Sequence, residues 1–344
     1  MTDAAVVAAR RATWTRRAKT IPIVLGATAA GAAASPVIAA VAAGRDLARG
    51  DTRLPTVRMA AFVGQYLLND SAEILAAGPL WVAAGCGTRL DQPRSRRHHE
   101  QLQAWSVAVL ARRAEQLLGV RLEIEGAADL RAVFHPGPVI VVCRHVSLLD
   151  ASLPSLLAQR AGMHTRGVVM AELLADPGFD LLYQRSGSVF VTRDHAPEAR
   201  AQVARLAAGL DPRTAAVIFP EGRLFRPEVL TASLARLRER APDRAARLVR
   251  LRHLLPPRPA GFQALLEGAP DADVVVVNHA GLDPYPRIAA LARDVPLAAP
   301  IAVQVTRIPR VAIPREQEHQ SIWLDERWCD MDDWIDERLR TRRP

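Results

Sequence analysis

The stretch RHVSLLDASLP, residues 144–154, sets His145 and Asp150 five positions apart, immediately after the apolar run GPVIVVC. A histidine at the end of a buried strand faces the edge where α/β sheets present their ligand-contacting groups. An aspartate near the start of the following helix can fold back onto one imidazole nitrogen. A carboxylate placed there fixes the tautomer and stabilises the imidazolium formed when the other nitrogen takes a proton. That chemistry activates a hydroxyl nucleophile. The same two residues also suit a structural role, because an aspartate in a first helical turn interacts favourably with the helix dipole.

Two further stretches carry functional groups at strand ends. VIFPEGRLF, residues 217–225, places Glu221, Gly222 and Arg223 in a turn, with Arg226 just beyond. Glycine permits positive φ or a close backbone approach, and arginine offers planar donors that match a phosphate. SGSVFVTRD, residues 186–194, ends in Arg193. Taken singly, each stretch also reads as an ordinary strand exit with solvated arginines.

Periodicity identifies the elements that must position these groups. HEQLQAWSVAVLARRAEQLLG repeats apolar residues at helical spacing, VRLEIEG alternates like a half-buried strand, and GPVIVVC is a continuous apolar run suited to an interior strand. RGVVM (166–170), SVFVTR (188–193), TAAVIFP (214–220), ADVVVVNH (272–279) and PIAVQVTRI (300–308) are further strand candidates, most of them separated by helical stretches. The alternation predicts an α/β fold: a mixed, largely parallel sheet flanked by helices. Residues 234–259 read as a helix pair ending in a proline-rich loop. The tail from Trp323 reads as a terminal amphipathic helix with three tryptophans available to dock.

The N-terminus has a different character. Arg10, Arg11, Arg16, Arg17 and Lys19 precede a run without charges, residues 21–43. As a helix this run rises about 35 Å, enough to cross a hydrocarbon core of about 30 Å, and the flanking arginines favour a cytoplasmic N-terminus. A signal peptide is a weaker reading, because its apolar region is typically about 7 to 15 residues long. A buried alanine-rich helix is the other alternative. A second apolar segment, residues 59–85, is interrupted by Asn69, Asp70, Ser71 and Glu73 and reads as a helix pair or an interfacial element rather than a second span. The expected division is a membrane-anchoring helical region at 1–90 and a catalytic domain with a C-terminal helix at 91–344.

Composition narrows the partners. The formal charge is +9 and the pI near 10.6, which suits anionic membranes and phosphate-bearing substrates. Only 5% of residues are aromatic, and no basic stretch is interleaved with aromatics, which argues against nucleic acid as a partner. Cys86, Cys143 and Cys329 are scattered without metal-type spacing, so a reducing compartment and no zinc site are expected.

In order, RHVSLLD, GSVFVTR and FPEGRLF resemble the HxxxxD, GxxFxxR and FPEGTR motifs of the PlsC-like glycerolipid acyltransferases, the 1-acyl-sn-glycerol-3-phosphate and lysophospholipid acyltransferases. HLLPPRPAGFQALLEG, residues 253–268, is similar to the LLPRxxGF segment of the branch that includes the lysocardiolipin acyltransferases. The resemblance covers residues 100 to 340 and implies a glycerol-3-phosphate acyltransferase-like fold. It implies that His145 is a general base oriented by Asp150, that Arg193, Glu221 and Gly222 hold the acceptor, chiefly its phosphate, with Arg223 a further substrate-binding candidate, and that Arg258 extends this basic surface. It further implies acyl-CoA or an acyl carrier protein as donor, a lysophospholipid as acceptor, no cofactor beyond acyl-CoA as co-substrate, and no metal. The location implied is the cell membrane, with the catalytic domain on the cytoplasmic side.

Two departures bear on these expectations. After FPEG the family usually has Thr then Arg, whereas here Arg223 comes one position earlier. Arg144 replaces the asparagine common before the motif histidine and sets an extra positive charge beside the base. A different acceptor, such as a glycolipid or a remodelling lysolipid, and a non-catalytic membrane scaffold on this fold are the competing readings.

Overall fold

A computed structural model describes residues 3–126, 129–192 and 196–341. The chain divides into two compact units, one formed by residues 1–119 and 169–190, the other by 120–168 and 191–344.

The first unit is helical. α1 runs Asp3–Ala48, α2 Pro55–Ala83 and α3 Pro93–Arg113. The α1–α2 connection is tied by Asp46, whose buried carboxylate accepts the N–H groups of Thr56 and Val57 at 2.9 and 3.2 Å. It satisfies two of the donors that a helix N-terminus leaves open. Asp46→Ala is expected to cost about 1 kcal/mol, read as a lower unfolding midpoint of the full chain in detergent micelles.

The apolar segment that begins at residue 59 lies in one continuous helix as far as Ala83, with Pro79 inside it, rather than in a helix pair, one of the two forms expected. The polar residues do not break it because they face inward. Asn69 donates to Glu73 and to Ser106 at 3.0 and 2.8 Å, and the Ser71 hydroxyl lies 2.8 Å from that of Thr28 on α1. Burying the Asn69 NH₂, the Glu73 carboxylate and the Ser71 hydroxyl is tolerable because each finds a partner, whereas Oδ1 of Asn69 and Oδ1 of Asp70 have none among the described residues. From the segment 169–190, Asp180 receives both Arg16 and Arg17, and Leu181 packs with Ile74 and Ala77.

The outward faces of α1 and α2 are apolar: Ile23, Val37, Val41, Leu68, Leu75 and Val82 are exposed. Arg11–Ala48 is long and apolar enough to cross a membrane, and its most apolar stretch has no buried residue. That exposure sets aside the alternative of a buried alanine-rich helix. Contiguous apolar surface of this kind marks a face that meets lipid or protein.

The chain forms a sheet of seven strands, most of it in the second unit: β1 Leu122–Glu125, β2 Val139–Cys143, β3 His164–Met170, β4 Val189–Val191, β5 Thr214–Ile218, β6 Asp273–Ala280 and β7 Ile301–Ile308, in the spatial order β1-β7-β6-β2-β5-β3-β4. β2 pairs in parallel with both β5 and β6, and only the β6–β7 pair is antiparallel among the registers described. The mixed, largely parallel sheet flanked by helices is the fold expected. Every residue of β2 and β5 is buried, as an interior strand covered on both faces requires. On one face Val141, Cys143, Leu157, Val275 and Val303 join a single apolar cluster. Helix Pro259–Gly268 ends on a close approach, since a Cβ at Gly268 would collide with the carbonyl oxygen of Ala204.

The C-terminal helix, Gln317–Thr341, buries Trp328 and presents carboxylates along one side. Asp325 takes Arg244 in a two-pronged ion pair, and Asp332 accepts the backbone N–H groups of Arg252 and His253. Asp336 pairs with the side chains of both Arg252 and His253. These contacts fix the loop that leads to Arg258.

Candidate active site

Parallel pairing brings the C-terminal ends of β2, β5 and β6 to one edge of the sheet, where ligands of open α/β sheets bind. His145 stands two residues past β2. Its Nδ1 is 2.5 Å from Oδ1 of Asp150, and Oδ2 of the same carboxylate accepts the N–H groups of Val146 and Ser147 at 2.6 and 2.9 Å. Asp150 is fully buried, while the His145 side chain keeps 20% of its surface. Three donors therefore lock the carboxylate, and among the described residues none occupies Nε2. That nitrogen is the one available to a substrate proton.

The loop after β5 wraps the base. Glu221 accepts the His145 backbone N–H on one oxygen at 2.9 Å and the Leu255 N–H on the other at 2.8 Å. The Phe225 N–H returns to the His145 carbonyl at 2.7 Å, and the Phe219 ring lies 4.7 Å from the imidazole, centroid to centroid. Glu221 is 1% exposed, so it clasps three loops rather than facing an acceptor phosphate as expected. Burial pushes its carboxyl up to about 7 against the pull of the two backbone amides, Arg144 and His145.

Gly222 adopts φ +66°, a conformation that side chains rarely take, and a Cβ there would lie 3.6 Å from the Arg258 side chain. The Arg258 backbone N–H donates to Pro220. The structure thus brings the expected Gly222 and Arg258 together at the turn. Arg223 is partly buried, and its Nε has no hydrogen-bond partner among the described residues. Arg193 lies outside the described residues.

Residues 121–280 match the family model described as Acyltransferase. These residues form an acyltransferase-family domain. It is 28% identical over 206 residues to 1-acyl-sn-glycerol-3-phosphate acyltransferase epsilon of Mus musculus, covering 55% of each chain. It therefore spans about half the length of that curated relative. The crystal structure of the 1-acyl-sn-glycerophosphate (LPA) acyltransferase, PlsC, from Thermotoga maritima aligns with a TM-score of 0.45 and 14% identity, over 79% of this chain and 96% of that one.

Within the acyltransferase domain, Arg144 corrects the expectation drawn from its charge. It is fully buried, donates to the carbonyls of His279 and His253 at 2.9 and 3.1 Å, and pairs with Asp283 at 2.7 Å. Burial raises the Asp283 carboxyl, but the guanidinium and the Gly281 N–H outweigh it and hold the group down at about 2. The extra cation is thus neutralised in place and serves as a brace between strand ends. The sequence carried a signal for this partner in NHAGLD, residues 278–283, where a histidine near the end of a buried strand is followed by an aspartate.

Proposed function

We propose that the acyltransferase domain moves a fatty acyl group from acyl-CoA to the hydroxyl of lysophosphatidic acid or another lysophospholipid. The observation that carries this reading is the 2.5 Å contact between His145 and a fully buried Asp150, with Nε2 left open. Nε2 takes the proton of the acceptor hydroxyl as its oxygen attacks the thioester carbonyl. The tetrahedral intermediate collapses with cleavage of the C–S bond, and the imidazolium returns the proton to the departing thiolate. Asp150 stabilises the imidazolium between these steps. Arg258 and Arg223, beside the Gly222 turn, supply positive charge for an acceptor phosphate. Leu148, exposed between the base and its partner, offers apolar surface to an acyl chain.

In this reading the domain works at the cytoplasmic face of a membrane, with the helical unit as its anchor. An acyl carrier protein is the alternative donor. The early position of Arg223 favours a second acceptor class, a glycolipid or a remodelling lysolipid. Purified full-length protein, given acyl-CoA and a pool of lysophosphatidic acid, lysocardiolipin, other lysophospholipids and glycolipids, is expected to release CoA thiol and acylate a phosphate-bearing lysolipid. Lysophosphatidic acid as the preferred acceptor removes the second class. No acylated product from any acceptor or donor overturns the proposal.

A further inference from the structure

His279 is the penultimate residue of β6, which runs parallel to β2 with Val277 opposite Cys143. It is fully buried, and its Nε2 faces Oδ2 of Asp150 at 3.5 Å. Neither ring nitrogen has a hydrogen-bond partner among the described residues. A buried imidazole without partners is costly, so a donor or acceptor that meets it in the working site would offset that cost. Its backbone is not free to drift, because Arg144, itself paired with Asp283, holds the His279 carbonyl. Asp150 has room for a further donor, since a carboxylate offers about four acceptor positions and accepts one imidazole and two amides here.

We propose that His279 is a positioning residue for acyl transfer: its neutral imidazole turns Nε2–H to Asp150, closes to hydrogen-bond distance when substrate fills the site, and keeps the carboxylate aligned on His145. Burial drives the His279 imidazolium down to about 4, with Arg144 acting in the same direction and Asp150 and Asp283 opposing it. His279 is therefore neutral near pH 7, a donor rather than a second cation. It shares the carboxylate's charge with His145 without displacing it. Long contacts at a catalytic centre commonly tighten in the substrate complex. The assignment rests on the reading of His145 and Asp150 as base and orienter.

The test compares His279→Leu, which fills space without a donor, with His279→Gln, whose amide reaches the Nε2 position. In the leucine variant kcat is expected to fall about 10- to 100-fold, as when a supporting partner of a functional group is lost, with KM for acyl-CoA nearly unchanged. The acid limb of its kcat–pH profile moves to higher pH, because the carboxylate then concentrates its charge on the His145 imidazolium. Glutamine is expected to restore both kcat and the limb. A leucine variant with the parent kcat and pH profile overturns the assignment, as does a glutamine variant as impaired as leucine.

If the leucine variant does not fold, His279→Asn serves instead, since its shorter amide cannot reach Asp150. Equal activity of the Asn and Gln variants then overturns the assignment, and rescue by Gln alone supports it. His145→Ala separates the two layers. Turnover that survives it removes the underlying base assignment, whereas its loss beside an unaffected His279→Leu removes only the role given to His279.

Discussion

Alanine at position 145 is expected to lower kcat for acyl transfer by about 10²- to 10⁴-fold, the usual worth of a positioned general base. An acceptor alcohol is protonated at neutral pH, and its oxygen attacks a thioester effectively only as the proton leaves. Among the described residues, neither neighbouring carboxylate can replace the imidazole. Asp150 is fully buried with both oxygens engaged, and Glu221 has each oxygen on a backbone amide. KM should change little, because binding rests on other side chains and the lost interaction belongs to the transition state. CoA-thiol release from purified protein measures it. Undiminished turnover in His145→Ala ends this mechanism. Asp150→Asn should approach the same loss, since an amide must turn its NH₂ toward either Nδ1–H or the paired N–H groups of Val146 and Ser147.

The second large effect is expected at Glu221. Glu221→Ala leaves the His145 and Leu255 amides without their acceptor. An unsatisfied buried donor costs about 1–3 kcal/mol, so the two together outweigh most single surface changes. The loss reaches function as well, because one of those amides belongs to the base itself.

The carboxyl also predicts a pH signature. Burial raises it from the ordinary 4.5 to about 7, so between those values the folded chain holds a proton that the unfolded chain releases. Its contribution is fully present below the unfolded value and declines as pH rises toward 7. Denaturant unfolding of the parent and of Glu221→Gln across pH 4.5 to 7 reads this. The parent should lose stability relative to the variant as pH rises, and parallel curves would refute the assignment.

The contrast between Asp150 and Glu221 shows what a linear reading can reach. His145 and Asp150 are five residues apart at a strand exit, so the chain's own turn delivers the contact, and the sequence sufficed to expect it. Glu221 bonds to amides 76 and 34 residues away. Its residue type suggested a face toward ligand, while the fold uses it to hold loops together. Arg144 is similar: its charge was visible, but its partner Asp283 lies 139 residues on. The strands were legible because fully buried parallel strands are written as continuous apolar runs. In α2 the polar interruption suggested a break, since burial inside a helical unit cannot be told from exposure to lipid by composition alone.

The helical unit also sets an order of events during synthesis. Arg16 and Arg17 meet their common partner, Asp180, only after a further 163 to 164 residues have been made. At bacterial-to-eukaryotic ribosome speeds of about 5–20 residues per second, that is a delay of about 8 to 30 s. For the later part of that delay the apolar α1, Asp3–Ala48, is complete with two uncompensated cations near its head, a combination that favours capture by an anionic membrane surface. Attachment to lipid can thus precede the closing of the unit that will carry it.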